Sequence, residues 1–238
     1  AGEELRDVPY YGLMEANING ADCVISQTGF TGEKGYEIYV RDTHENAEKV
    51  WNKVLEDGEE FGLMVIAPAH HRRIAAGILS WGQDLDHETS PFQVNLAYQV
   101  PRNKKADYIG KAELERQRDV IDSGDAPFKM KMVGITLGGK EITDYAPDFW
   151  LVADTDGKDM GYVTSPWWSP ELGTNIALAW VPWSSSEVGT KLLVKLPDEY
   201  SVTPGEPVEG EVVDVPFRES VNPNKREVES AKGKDFAE

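Results

Sequence analysis

The chain has 238 residues, and its 42 Asp and Glu against 24 Lys and Arg give a formal charge of −18 at pH 7. This acidic balance argues against a broad phosphate-contacting surface, so we expect no nucleic-acid partner. No apolar run approaches the roughly 18 residues that would indicate a membrane span. The single cysteine, Cys23, excludes an intrachain disulfide and favours a reducing, cytoplasmic location.

The first half of the chain alternates predicted strands with predicted helices. Ala21–Gln27 is the first clear strand, and Tyr36–Arg41 is the second, because both are rich in β-forming residues. Apolar residues then recur at helical spacing. Three helices are expected, over Thr43–Glu56, from Pro68 to Leu79 and over Lys111–Val120.

The second half contains only short predicted strands, separated by turn residues at fairly even intervals, which indicates an antiparallel sandwich or barrel. The fold class is therefore α+β, with an all-β C-terminal module. We expect an α+β domain over residues 1–128, a β domain over 129–216 and a polar tail over 217–238. The predicted strands are Met132–Leu137, Phe149–Ala153, Gly161–Ser165, Asn175–Val181, Lys191–Leu196 and Val208–Val215.

Three glycines in the sequence TGFTGEKG, namely Gly29, Gly32 and Gly35, raise the possibility of a phosphate-binding loop. Such a loop needs strand-to-helix geometry, whereas these glycines lie between two predicted strands, and Glu33 would repel a phosphate. A hairpin connection is the better interpretation. Glu37 follows this loop within a strand, where its carboxylate is either solvated or recruited to a ligand.

Charged residues elsewhere give weaker signals. His70, His71 and Arg72 fit a solvated helix face, and no histidine has the spacing of a helical zinc site, so no metal is assigned. Asp84 and the charged residues after it do not have EF-hand spacing and are expected to be solvated loop charges. Cys23 is expected to be a small core residue. The pair Trp167 and Trp168 is expected to follow a strand and to pack in a core or at its rim.

An ordered set of short motifs over roughly residues 20–215 resembles the glycine-cleavage T-protein (aminomethyltransferase) family. Residues 27–38, QTGFTGEKGYEI, are similar to the family's GYTGE-x-G-[FY]-E element, and residues 73–77, RIAAG, are similar to its R-L-E-A-G element. The stretches WGQD, DYIGK and GYVTS follow in the family's order. Any one of these motifs is weak evidence, whereas the ordered set is a strong signal.

The resemblance implies the later part of a folate-binding α+β region, followed by the family's C-terminal β-barrel, with tetrahydrofolate as the cofactor. It implies that the carboxylate of Glu37 accepts hydrogen bonds from the edge of the pterin ring, and that Arg73 lies near the bound folate. Tyr36 and Trp81 are candidate aromatic walls for the flat ring. No catalytic acid or base can be assigned.

Positions where this sequence differs from the family's motifs indicate which branch of the family it resembles. Ala75 replaces a Glu that is common in the family, and residues 78–86, ILSWGQDLD, resemble its folate-dependent demethylases. We therefore expect a tetrahydrofolate-dependent methyltransferase or demethylase, with the aminomethyltransferase of the glycine cleavage system as the alternative. A second alternative is that the chain is not an enzyme but a non-catalytic folate-binding or interaction module. The expected partners are a small methyl or aminomethyl donor and the N-terminal part of the same protein, for which this chain has no counterpart.

Overall fold

The computed structural model describes residues 5, 7–102 and 104–217. They form two compact units that divide between Ala69 and His70. We call these the N-terminal unit, residues 5–69, and the barrel unit, residues 70–217. Apart from Phe217, the predicted polar tail lies outside the described residues, and the predicted domain boundaries at residues 128 and 216 stay predictions.

The N-terminal unit is a three-stranded antiparallel sheet with a helix on one face. Its strands are β1 (Leu13–Ile18), β2 (Ala21–Ser26) and β3 (Glu37–Val40), in the order β1-β2-β3. The helix is α1 (Thr43–Gly58). The sequence prediction did not include β1. Its turn signal was present, because Asn19 and Gly20 both adopt positive φ and connect β1 to β2 in a two-residue hairpin.

One face of this sheet packs against α1. Alternate residues of β2, Ala21 and Cys23, are buried and pack with Val50 of the helix. Cys23 is therefore a core residue, as expected, and burial raises the pKa of its thiol. Trp51, which is 55% exposed, lies outside this core although it shares the apolar spacing of the helix.

The barrel unit contains a closed six-stranded antiparallel barrel, which confirms the predicted all-β module. The strands follow the order β4-β7-β6-β5-β8-β9, and the β4–β9 pair closes the barrel. Its interior is filled by apolar side chains, among them Ile135, Val152 and Val181. The strand bounds are β4 (Met130–Leu137), β5 (Trp150–Ala153), β6 (Asp159–Ser169), β7 (Thr174–Pro182), β8 (Lys191–Val194) and β9 (Val208–Val213).

Strand β6 is longer than predicted, and this changes the place of the tryptophan pair. Trp167 and Trp168 lie inside β6 and pair with Ile176 and Asn175 of β7, so the prediction that they follow a strand is wrong. Pro166, the residue after the predicted end at Ser165, lies within the strand and is opposite Ala177. A register shift between Val163 and Ser165 marks an irregularity in the β6–β7 ladder just before it.

Two helices precede the barrel, α2 (His70–Ala75) and α3 (Lys111–Asp122). Helix α2 is shorter than the predicted helix, because Gly77 adopts φ +70° and ends it. The Ile78 N–H donates to the Arg73 carbonyl at 2.8 Å, and the Gly77 N–H donates to the Ile74 carbonyl at 2.9 Å, which is a glycine-terminated helix end. No helix in the part of the chain that the structure describes is long and apolar enough to cross a membrane.

Candidate functional site

Glu37 lies on the face of the N-terminal sheet that α1 does not cover. Val40 of the same strand points into the core with the helix, so side-chain alternation places Glu37 and Tyr39 on the opposite face. Ser26 is directly opposite Glu37 across β2 and β3, and Val24 is opposite Tyr39. Glu37 is exposed and Tyr39 is 57% exposed. The strand therefore presents a carboxylate and an aromatic ring side by side on an open face.

The Glu37 carboxylate is held through one of its two oxygens. The hydroxyls of Thr28 and Tyr39 both donate to Oε2, the Tyr39 bond being 3.1 Å long. The other oxygen, Oε1, has no hydrogen-bond partner among the described residues. The hydrogen bond to Glu37, followed by the carboxylate charge, raises the pKa of the Tyr39 phenol.

The loop between β2 and β3 confirms the hairpin interpretation of the glycine-dense sequence. It connects two antiparallel neighbours, and Gly32 within it adopts φ +72°. Thr28 lies at the start of this loop and Glu37 just after its end. The loop therefore places the Thr28 hydroxyl beside the Glu37 carboxylate, although the two residues are nine positions apart in sequence. The loop thus positions a side chain for the carboxylate.

Tyr36 and Tyr39 have different surroundings. Tyr36 is half-buried, its hydroxyl donates to the Leu5 carbonyl at 3.3 Å, and Lys34 Nζ lies 5.9 Å from its ring centroid. Its predicted role as a wall for a flat ligand stays a prediction. Tyr39 shares the open face with Glu37 and was missed. The period-two alternation of a strand could have identified it, because residues i and i+2 lie on the same face.

Arg73 lies at the centre of a buried polar network in the barrel unit. All five of its N–H groups are directed at protein acceptors. Nε lies 3.4 Å from His70 Nδ1, and Nη1 donates to the Ile78 carbonyl at 3.1 Å and to Asp84 at 2.8 Å. Nη2 donates to Gln83 at 3.2 Å and to Ser165 at 2.8 Å. These hydrogen bonds link α2 to the 78–84 loop and to β6. The predicted contact between Arg73 and folate stays a prediction.

Asp84 accepts four hydrogen bonds in the same network. Arg73 and the Ser80 N–H donate to Oδ2 at 2.8 and 2.7 Å, and the hydroxyls of Thr164 and Ser165 lie 2.6 Å from Oδ1. The prediction that Asp84 is a solvated loop charge is wrong. Two of its partners, Thr164 and Ser165, are 80 and 81 positions away in sequence and become its neighbours only in the folded barrel unit.

His70 is also less solvated than predicted. Its ring stacks on Trp167 with centroids 5.3 Å apart and an interplanar angle of 28°. Burial, followed by the charge of Arg73, lowers its pKa. The solvated helix-face interpretation therefore holds for the exposed Arg72 and is wrong for His70 and His71, which are both half-buried.

The 80–85 turn of the barrel unit presents Trp81 outward. Its side chain is 69% exposed, while the Gly82 N–H donates to the Leu85 carbonyl at 2.8 Å. Its predicted place as an aromatic wall stays a prediction. Asp86 accepts bonds from the Glu88 N–H and the Thr89 hydroxyl, which lower its pKa. The described residues contain no group of three His, Cys, Asp or Glu side chains placed to hold a metal ion.

Two family models match this chain, and the first of them extends from the N-terminal unit into the barrel unit. The GCVT N-terminal domain model matches residues 2–104, and the glycine cleavage T-protein C-terminal barrel domain model matches residues 131–217. The chain belongs to the glycine cleavage T-protein family. The second match covers the six barrel strands apart from Met130, the first residue of β4, so the family assignment and the barrel topology agree.

Several relatives in this family are named aminomethyltransferases. The protein from Thermotoga neapolitana is 33% identical over 90% of this chain and 53% of its own length. The one from Geobacillus sp. is 34% identical over 74% of this chain and 46% of its own length. The crystal structure of aminomethyltransferase T from Bartonella henselae has a TM-score of 0.70 at 23% identity, over 90% of this chain and 54% of that one. The chain spans about half the length of the relatives it matches.

Proposed function

We propose that this chain is the folate-binding part of a tetrahydrofolate-dependent one-carbon transferase that takes an aminomethyl group. The observation that carries the proposal is its similarity to aminomethyltransferases, at 33% identity over 90% of the chain for the Thermotoga neapolitana protein. This favours the aminomethyl donor over the methyl donor that the sequence suggested. Tetrahydrofolate, when bound, would accept the one-carbon unit at a ring nitrogen.

The surroundings of Glu37 fit a pterin ring. Such a ring presents an exocyclic amino group and a ring N–H on one edge, and a carboxylate is the acceptor suited to both. Oε1 of Glu37 is unengaged by the described residues, and the carboxylate is exposed on an open face. Tyr39 offers an aromatic surface on that same face. We propose that Glu37 orients the pterin and that Tyr39 contacts it.

Arg73 is proposed to act chiefly as a support. A direct bond to folate would require one of its five N–H groups to leave a protein acceptor. Its bonds to Asp84 and Gln83 instead fix the 80–85 turn, which presents the exposed ring of Trp81. We propose that Trp81 supplies an apolar surface and that Arg73 keeps that surface in place.

The residues that contact the donor are proposed to lie in the half of the family's length that this chain does not match. The Thermotoga neapolitana relative extends over nearly twice the matched length, since the match covers 53% of it. The proposed partners are thus a polypeptide that corresponds to this other half and a small aminomethyl donor. Catalytic acid or base groups are proposed to belong to that half.

A second candidate function is folate-dependent demethylation. It is favoured by Ala75 at a position where the family commonly has Glu, and by the sequence ILSWGQDLD over residues 78–86. Ala75 is buried and its carbonyl accepts a bond from the Phe217 N–H at 2.9 Å. An Ala at this buried position removes a carboxylate that other members of the family have in the corresponding part of the barrel unit.

The test supplies tetrahydrofolate together with aminomethyl and methyl donors to the protein that carries this chain, and identifies the folate product by mass spectrometry. Methylene-tetrahydrofolate with release of ammonia supports the aminomethyltransferase proposal. Methyl-tetrahydrofolate supports the demethylase candidate. Glu37→Gln is the matched control, since it preserves side-chain size. Product formation at the wild-type rate by this variant would contradict the proposed site.

A further inference from the structure

We infer that Thr28 and Tyr39 are positioning residues, which saturate one oxygen of Glu37 so that the other is presented as the open acceptor for a ligand N–H donor. The inference rests on the proposed folate site and adds two residues to it. Neither hydroxyl is required to touch the reacting atoms. Both act through the Glu37 carboxylate.

The geometry concentrates two donors on a single oxygen. Each carboxylate oxygen has two lone pairs, and Oε2 accepts from both Thr28 and Tyr39. The Thr28 hydroxyl lies in turn 3.1 Å from the Ser26 hydroxyl, which lies 3.3 Å from the Gly12 carbonyl. Thr28 has a single hydroxyl proton, which it donates to Glu37, while Ser26 donates its own to the Gly12 carbonyl.

Ordering the Glu37 side chain before a ligand binds affects affinity, because this side chain is exposed and would otherwise be free to move. A free Glu side chain loses rotamer freedom when a ligand orders it, and this entropy loss weakens binding. Two hydrogen bonds that order the side chain beforehand remove part of this cost. Because Oε2 is already engaged by two donors, Oε1, with two lone pairs of its own, is the oxygen presented to ligand N–H donors.

The binding experiment uses matched variants of the full chain and calorimetric titration with tetrahydrofolate. Thr28→Val removes the hydroxyl but keeps the β-branched shape, and Tyr39→Phe removes only the phenol oxygen. We expect each to weaken binding about 3- to 10-fold, because the carboxylate must be ordered on binding. Thr28→Ser should restore most of the affinity lost in Thr28→Val. Thermal melts of all variants show whether the fold is retained.

A spectroscopic measurement tests the Tyr39 contact without any ligand. The near-ultraviolet absorbance change on phenol ionisation is recorded against pH, and subtraction of the Tyr39→Phe curve isolates Tyr39. Its pKa should lie above the ordinary tyrosine value in the wild type, because the phenol donates to a carboxylate, and should fall in Glu37→Gln. An unchanged Tyr39 titration in Glu37→Gln would overturn the inference.

The outcomes separate the inference from the proposed function. If the wild type binds tetrahydrofolate and Glu37→Gln does not, while Thr28→Val and Tyr39→Phe bind as the wild type does, the inference fails and the folate site stands. If the wild type does not bind, or Glu37→Gln binds equally well, the proposed folate site fails and the inference with it. Loss in Thr28→Val with rescue in Thr28→Ser supports both.

Discussion

Arg73 Nη1 and Asp84 Oδ2 lie 2.8 Å apart, with side chains only 2% and 0% exposed. Two full charges so far from water are stable only when their remaining donors and acceptors are also satisfied. Both conditions hold, since all five N–H groups of Arg73 and both oxygens of Asp84 are hydrogen-bonded. The pair ties α2 and the 80–85 turn to β6 through Thr164 and Ser165. It is one of the polar connections between the region before the barrel and the barrel strands, together with Gln93 to Met130 and Asn95 to Met132.

Asp84→Asn should destabilise the barrel unit by about 3–5 kcal/mol, because Arg73 then keeps a buried charge without its anion. Urea unfolding followed by tryptophan fluorescence measures this, since Trp51 is the one tryptophan outside the barrel unit. Asp122→Asn is the control. It breaks the Arg102–Asp122 pair, whose side chains are 64% and 43% exposed, and should cost at most about 1 kcal/mol. Equal effects in the two variants would contradict a structural role for Asp84.

Local patterns in the sequence predict much of the fold. β2, β3 and α1 follow from residue spacing, and the barrel strands follow from β-rich runs with turn residues between them. The turn at Asn19 and Gly20 was a readable signal for β1. The end of α2 was harder to place, because the helix ends at Ala75, just before Gly77 and four residues before the predicted end at Leu79. Residue spacing alone places a helix end poorly when apolar residues continue past the glycine that ends the helix, as Ile78 and Leu79 do after Gly77.

The candidate site is less predictable, because it depends on residues far apart in sequence. Ser165 is 92 positions from Arg73, and the packing of α2 against β6 makes them neighbours. Asp84 therefore looks like a loop charge in the sequence and is a buried partner in the structure. Glu37 could be identified by resemblance, whereas its neighbour Tyr39 needed the strand register. Side chains alternate between the two faces of β3, so the sequence alone could have placed Tyr39 on the same face as Glu37.

Gly77→Ala should destabilise the protein more than Gly157→Ala does. Both glycines adopt positive φ, +70° and +83°, which costs a side-chain-bearing residue roughly 1–2 kcal/mol. A Cβ at Gly77 would also lie 2.4 Å from Val215 Cγ1, whereas nothing lies within 4 Å of one at Gly157. Urea unfolding of both variants isolates the contribution of the steric contact. Equal losses would mean that Val215 moves aside freely.

Stability should fall on acidification through the ordinary histidine range, in part because of His70. Burial and the Arg73 charge lower its folded-state pKa below the unfolded value of 6.5, so the unfolded chain binds a proton more readily. The contribution of His70 is complete above that unfolded pKa and is lost as the pH falls towards the folded value. Melting temperatures across this range should drop less in His70→Gln than in the wild type. His44→Gln, which removes an exposed histidine from α1, is the control, and an identical pH profile in both variants would contradict the prediction.

Residues 1–238 alone should show no folate-dependent transfer. The family's other half has no match in this chain, which spans about half of its relatives, and we place the donor-binding groups there. The measurement is turnover of tetrahydrofolate with an aminomethyl donor, with an aminomethyltransferase of full family length as the positive control. Turnover by residues 1–238 at the rate of that control would contradict the prediction.

Glu37→Gln should weaken tetrahydrofolate binding by about 2–4 kcal/mol, or roughly 30- to 1,000-fold in dissociation constant. The substitution keeps the shape of the side chain but replaces one acceptor with a donor, which then faces a donor on the pterin edge and lacks its charge. The fold should be retained, because Glu37 is exposed on the sheet face that α1 leaves open. Calorimetric titration gives the affinities, and thermal melts are recorded beside it. Glu48→Gln is the matched control, since Glu48 is exposed on α1, which covers the other face of the sheet, and its removal should leave the affinity unchanged. Equal affinities in the wild type and Glu37→Gln would make Glu37 an ordinary solvated strand residue, and a large fall in its melting temperature would assign it a structural role instead.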